Sequence, residues 1–241
     1  MSFSELILFF ESDLNKFLAF LFFSLISIFF ASKHTSKKLE NLKKIWEEKH
    51  GLLIYKTKSP FSFDSKHIDI PSRKPFKNKG HLSNLITSKT NPDLKIFNWT
   101  YAYREHITAR WIFMFKINRE VVPHNLYFVF SPNYKTLLKT KTKSNALSMN
   151  KEFSKKFNLN TANTDSQNKK IVNQIFMNKK FQQILFDFGD INIECNSKEI
   201  FYFFDNTGLG YEIVPSLLEK AEYIHKKLVK IAFRSKIKTI L

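Results

Sequence analysis

Residues Leu94 to Arg119 read LKIFNWTYAYREHITARWIFMFKINR, and this stretch decides the fold class. Phe97, Trp99, Tyr101 and Tyr103 occupy odd positions of its first half, with Asn98, Thr100 and Arg104 between or beside them. Trp111, Phe113, Phe115 and Ile117 occupy odd positions of its second half, among Arg110, Lys116 and Asn118. A period of two sends alternate side chains to opposite faces of a strand. The pattern predicts a hairpin turning near His106, with the odd-numbered aromatics of both strands on one shared face.

Further strands are expected on either side. LLIYK (52–56) reads as a first strand, and LYFVFSP (126–132) as one stopped by Pro132. DINIECN and EIFYFFD read as a second hairpin, turning through Ser197 and Lys198. Pro60, Pro71, Pro75 and Pro92 break up residues 57–92, where HIDI suggests a short strand and LSNLI a helical turn. Helices are expected over SMNKEFSKKFNLN, over DSQNKKIVNQIFMNKKFQQILF, and over VPSLLEKAEYIHKKLVKIAFRSKI with Pro215 in its first turn. In the last, Leu217, Ala221, Ile224, Leu228 and Ile231 form one stripe, and Lys220, Lys226, Lys227, Lys230 and Arg234 lie opposite. That helix is expected to cover the sheet with its basic face outward; the alternative is that it lies in the membrane interface. Grouped strands and grouped helices predict an α+β fold with a mostly antiparallel sheet covered by helices.

Upstream, FLAFLFFSLISIFFASKH (Phe17–His34) is apolar all round, and Lys16 is the single charge within residues 14–32. At about 1.5 Å per residue such a helix is roughly 28 Å long, close to the hydrocarbon thickness of a bilayer. Glu5, Glu11 and Asp13 precede it where a secretory signal would be basic, and FFASKH is a poor cleavage sequence. The alternative is a buried soluble helix; the sequence favours a transmembrane helix at 14–32. Lys33, Lys37, Lys38, Lys43 and Lys44 follow it and no Lys or Arg precedes Lys16. The positive-inside rule then gives a short extracytoplasmic N-terminus (1–13) and a cytoplasmic domain (51–241), the topology of a single-pass protein of a bacterial inner membrane. Lys16 would snorkel to the outer interface. Residues 33–50 read as a juxtamembrane amphipathic helix with Leu39, Leu42, Ile45 and Trp46 on one stripe, Glu40 and Lys44 paired, and Gly51 as its C-terminal cap. It either continues the first helix or joins it at Thr35–Ser36.

The formal charge is +18, and 27 phenylalanines supply ample material for a core. Such a charge points to an acidic partner: nucleic acid, an anionic membrane face or an acidic protein. Only five glycines argue against Gly-rich phosphate loops, and the single cysteine, Cys195, excludes an internal disulfide framework and a multi-cysteine zinc site.

No residue set carries a catalytic signature. Arg104, Glu105 and His106 would suit acid–base work but sit in a turn, where polar residues collect. The seven histidines have no metal-ligand spacing. Cys195 shares parity with Ile191 and Ile193, as a buried hydrophobe would. TGLGY, with Gly208 and Gly210, is a loop rather than a nucleotide fingerprint, and the NWT sequon at Asn98 falls in a strand on the cytoplasmic side. RWIFMFKI resembles an RNA-binding strand, but its aromatics segregate from Arg110 and Lys116, which disfavours nucleic acid.

NKEFSKKFNLNTANTDSQNKKIVNQIFMNKKFQQIL, leading to DINIECNSKEIFYFF, resembles a run of phenylalanines and helices in a family of uncharacterised bacterial single-pass membrane proteins. The resemblance covers the C-terminal part and implies an anchored α+β domain, with no functional residue to carry over. The expectation is a membrane-anchored protein, non-enzymatic, whose cytoplasmic domain binds a protein partner or senses a state at the membrane. No catalytic, cofactor or metal residue is assigned. Anionic lipid head groups are a further candidate partner. The alternatives are an enzyme whose site one sequence does not reveal, and a membrane-tethered nucleic-acid binder.

Overall fold

A computed structural model describes residues 3–54, 80–103, 106–118, 126, 128–132, 151–161, 166–189, 191–196, 198–204 and 210–240. Eight strands form one sheet in the order β1-β2-β3-β4-β8-β7-β5-β6. They are β1 (Leu52–Ile54), β2 (Gly80–Ser88), β3 (Leu94–Tyr103), β4 (His106–Lys116), β5 (Phe128–Pro132), β6 (Phe157–Asn160), β7 (Ile191–Cys195) and β8 (Glu199–Phe204). Every pairing is antiparallel. The helices are α1 (Phe3–His50), α2 (Lys151–Lys156), α3 (Ser166–Phe176), α4 (Lys179–Phe188) and α5 (Val214–Ile240). The α+β class is as the sequence predicts.

The central hairpin forms where expected, with Tyr103 opposite His106, but its faces differ from the expectation. Trp99 pairs with Arg110 and Phe97 with Ile112, so odd positions of β3 share a face with even positions of β4. The pairing of Tyr103 with His106, an odd position with an even one, makes this parity unavoidable. Phe97 and Trp99 therefore lie with Ile112 and Met114, and Trp111, Phe113 and Phe115 lie with Ile96 and Leu94. Both faces are buried. The larger core gathers Trp111, Phe113, Tyr202, Ile193 and Phe128 from the sheet with Ile171, Phe181, Ile224 and Leu228 from α3, α4 and α5. Among the described residues, the smaller core on the other face is made of strand residues only: Leu82, Phe97, Trp99, Ile112, Met114, Phe201 and Phe203.

LSNLI is part of β2 rather than a helical turn. Its hybrid look has a cause: Asn84 takes a left-handed backbone (φ 57°), and one extra residue enters β2 between Ser83 and Ile86. The bulge inverts the alternation, so that Leu82 joins the smaller core and Ile86 the larger one. HIDI lies outside the described residues. The helix expected at SMNKEFSKKFNLN ends at Lys156, and Phe157–Asn160 become β6, burying Phe157 and Leu159 in alternation. The single helix expected over 165–186 is two, because Asn178 stops α3 and caps α4, its side chain accepting from Phe181 N at 3.1 Å.

The C-terminal helix packs as predicted, with Leu217, Ala221, Ile224 and Leu228 buried and Ile231 packed against them. At the other end of the chain, the apolar and juxtamembrane segments are one unbroken helix, α1, with no joint at Thr35–Ser36. Gly51 (φ 61°) closes it, donating its N–H to Glu47 O at 3.2 Å. Among the described residues no helix is long and apolar enough to cross a membrane. A helix thus runs through 14–32, while the crossing expected there is not supported by the structure.

Candidate functional site

Two features of the described residues stand apart from ordinary core and surface. One is the course of α1. Its residues Phe17, Leu18, Phe20, Phe22, Phe23, Leu25, Phe29 and Phe30 are all exposed, Phe20 at 69% and Phe23 at 66% of its full surface. Those positions go right round the helix, so no single packed partner of ordinary width would cover them. Sixteen residues past Phe30 the same helix enters the body: Trp46 is 2% exposed and belongs to the larger core. Its ring lies 6.0 Å from Tyr211, which lies 5.6 Å from Trp111 at the centre of the sheet. Tyr211 belongs to a 3-10 turn (Tyr211–Ile213) just ahead of α5. Lys38 pairs with Glu212 of that turn at 2.7 Å, and Glu47 with Lys89 at 2.7 Å. The Lys38 ammonium holds the Glu212 carboxyl below its usual range.

The second feature is a pocket of about 200 Å³ between the start of β3, the end of β4 and α5. Phe115, Ile200 and Val229 make its apolar side, and Asp93, Lys116 and His225 bring polar groups to it. The turn carrying Asp93 is fixed locally, Asn91 Oδ1 accepting from Asp93 N at 3.2 Å and Lys116 N donating to Asp93 O at 3.0 Å. His225 stacks on Phe115 with centroids 4.3 Å apart, and its Nδ1 is 3.1 Å from Tyr202 Oη. Burial lowers the imidazole pKa to about 4. Burial, then the neighbouring Cys195 thiol, raises the Tyr202 phenol, and burial raises Cys195 itself. At neutral pH all three are uncharged. With the phenol protonated, the arrangement in which Oη donates to Nδ1 leaves the ring proton on Nε2. An imidazole this acidic in its protonated form is a weak base, and a thiol pushed upward is a weak nucleophile. The cluster has packing and hydrogen bonding in place of activation.

Residues weighed from the sequence do not meet here. His106 begins β4 at the far end of the hairpin from Lys116, and Arg104 and Glu105 lie outside the described residues. Cys195 is buried in the core, its thiol donating to Leu126 O at 3.4 Å and Asn196 O at 3.3 Å. Asn98 is 2% exposed, out of reach of a glycosylating enzyme in the folded protein. Gly210 precedes the 3-10 turn, and Gly208 lies outside the described residues. Among the described residues no three His, Cys, Asp or Glu side chains gather as a metal site would require. The aromatics of RWIFMFKI are buried, so that strand presents no stacking platform. Sequence reading missed His225, although it follows Ala221 by four residues on the flank of the buried stripe.

Comparison of the chain with known protein families, with curated proteins and with solved structures gives no match.

Proposed function

We propose that this chain is a membrane-anchored binding domain: α1 places residues 14–32 in a bilayer, and the α+β body works at the membrane as a docking module without catalysis of its own. The supporting observation is the contrast along α1, exposed phenylalanine and leucine at 17–30 and a tryptophan sunk into the body at 46. Exposed apolar surface in water is unfavourable by roughly 25 cal/mol per Å², and a bilayer is the environment that removes it from every side of a helix at once. The lysines after residue 32 favour a cytoplasmic body. His225, Tyr202 and Cys195, all uncharged, leave that cluster without an activated acid, base or nucleophile.

Fractionation tests the anchor. The full chain should stay with membranes through carbonate and high salt and leave them only in detergent. Full-length protein recovered in the aqueous fraction would sink the proposal. A reporter fused after Leu241 should be active only in its cytoplasmic form, and external accessibility of that end would reverse the topology. Cross-linking in intact membranes, with the anchor in place, should then capture the partner.

A further inference from the structure

We infer that the outer stripe of α5 is a docking surface for an anionic bilayer, the same membrane that α1 is proposed to enter; the inference rests on that anchor reading and extends it to the body. Tyr223, Lys226, Lys227, Lys230, Phe233 and Arg234 are all exposed. At 100° per residue they fall within an arc of about 120°, whose centre is about 150° round the helix from that of Leu217, Ala221, Ile224 and Leu228. Four cations and two aromatics thus share a face that the packing of α5 on the sheet turns away from the core. Glu219 shares that arc one turn before Tyr223 and Glu222 lies at its edge, and no Asp or Glu occurs in the chain after Glu222.

Charge complementarity selects an acidic partner, and the aromatics select its kind. Tyr223 (45% exposed) precedes Lys226, Lys227 and Lys230 along the stripe, and Phe233 (43% exposed) follows them beside Arg234. Lys227 lies 5.2 Å over the Tyr223 ring. A headgroup layer accommodates this mixture, because aromatic rings settle at the boundary of headgroup and acyl chain while lysines meet phosphate. Grooves of a duplex would use the cations and leave Tyr223 and Phe233 without a role. Position along the chain favours the membrane as well. Lys38, tied to Glu212, is eight residues past Phe30, about 12 Å of helix. The start of α5 therefore lies close to where the exposed apolar segment ends, and a surface already tethered nearby needs little affinity of its own to be occupied.

The test uses the full chain in vesicles, with an environment-sensitive dye on Phe233→Cys; Cys195 is buried and stays unlabelled. In vesicles with about one third phosphatidylglycerol the emission should shift to the blue, and it should not shift in phosphatidylcholine alone. About 0.5 M salt should reverse the shift, as should the triple variant Lys226→Glu, Lys227→Glu, Lys230→Glu, whose melting temperature should match that of the parent. Equal emission in the two lipids overturns the inference. Flotation with phosphatidylcholine vesicles at high salt reads the anchor separately. Protein that floats without a blue shift loses the α5 surface alone, and protein that does not float loses the anchor and the α5 surface together. A short DNA duplex that shifts the dye in phosphatidylcholine vesicles, where anionic lipid has no effect, would reassign the stripe to nucleic acid.

Discussion

Helices α1 and α5 draw on the same residue types, lysine with phenylalanine, leucine and isoleucine, and use them in opposite ways. In α5 the apolar residues recur at i, i+4, i+7 and i+11 and leave the other side to Lys226, Lys227, Lys230 and Arg234. Packing on the sheet then buries the stripe from Leu217 to Leu228. In α1, Phe17 to Phe30 go round the whole circumference, and they stay exposed although the body has two well-filled cores. Among the described side chains, α1 joins the core where it regains a one-sided pattern, at Trp46. The arrangement of apolar residues around a helix, rather than their number, decides whether a protein core can receive it.

The comparison breaks most easily at Ile224. Ile224→Asp puts a carboxylate among core side chains and should cost at least about 4 kcal/mol, a large part of the roughly 5–15 kcal/mol by which a domain is ordinarily stable. The matching change in α1, Leu25→Asp, should leave the melting temperature of the body unchanged and loosen membrane association instead. Equal destabilisation by the two would show that the exposed stretch packs on protein. Next in size is Trp46→Ala, the one position among the described side chains of α1 that is buried as the α5 stripe is. A loss of about 3–5 kcal/mol is expected, read by denaturant unfolding followed by sheet circular dichroism. A cost near zero would mean that α1 merely rests on the body.

His225 sharpens the comparison from the α5 side. Its pKa in the folded state, about 4, lies below the ordinary histidine value, so folding favours the neutral ring. Stability should hold above about pH 6.5 and fall as pH drops toward 4, with a total loss of about 3 kcal/mol. His225→Phe should be less stable than the parent at pH 7, since the Tyr202 hydroxyl loses its partner, and should lack this part of the acid decline. Parallel pH profiles for the two proteins would show that the imidazole takes up its proton in the fold without penalty. The smallest effect is expected for Lys38→Ala. Both partners of that pair are exposed, and the melting temperature should not change measurably.

Much of this fold was legible because its signals are local. The hairpin about residues 104–105, the cap at Gly51 and the stripe of α5 each follow from spacing within about a dozen residues. The errors lie where one residue changes a phase. The pairing of Tyr103 with His106 set the parity of β4 against β3, and the bulge at Asn84 inverted β2 halfway along. Asn178 divided a helix that periodicity alone runs through. Sheet order was out of reach for another reason: the β7–β8 hairpin sits between β4 and β5, and no local pattern encodes an insertion between strands far apart in sequence. The His225–Tyr202 contact needed the phase of α5, the parity of β8 and that sheet order all at once.

The unbroken course of α1 into Trp46 and Gly51 gives the molecule a fixed azimuth. With no swivel between Phe30 and the body, one residue inserted there would rotate the whole sheet by about 100° and advance it by about 1.5 Å. Seven inserted residues, nearly two full turns, would bring every side chain of the body back to almost its former heading, about 10 Å farther out. Spacer length between the exposed apolar stretch of α1 and the body therefore acts on this protein periodically, as the teeth of a gear do, and a graded response to added residues belongs to a chain with a loose tether.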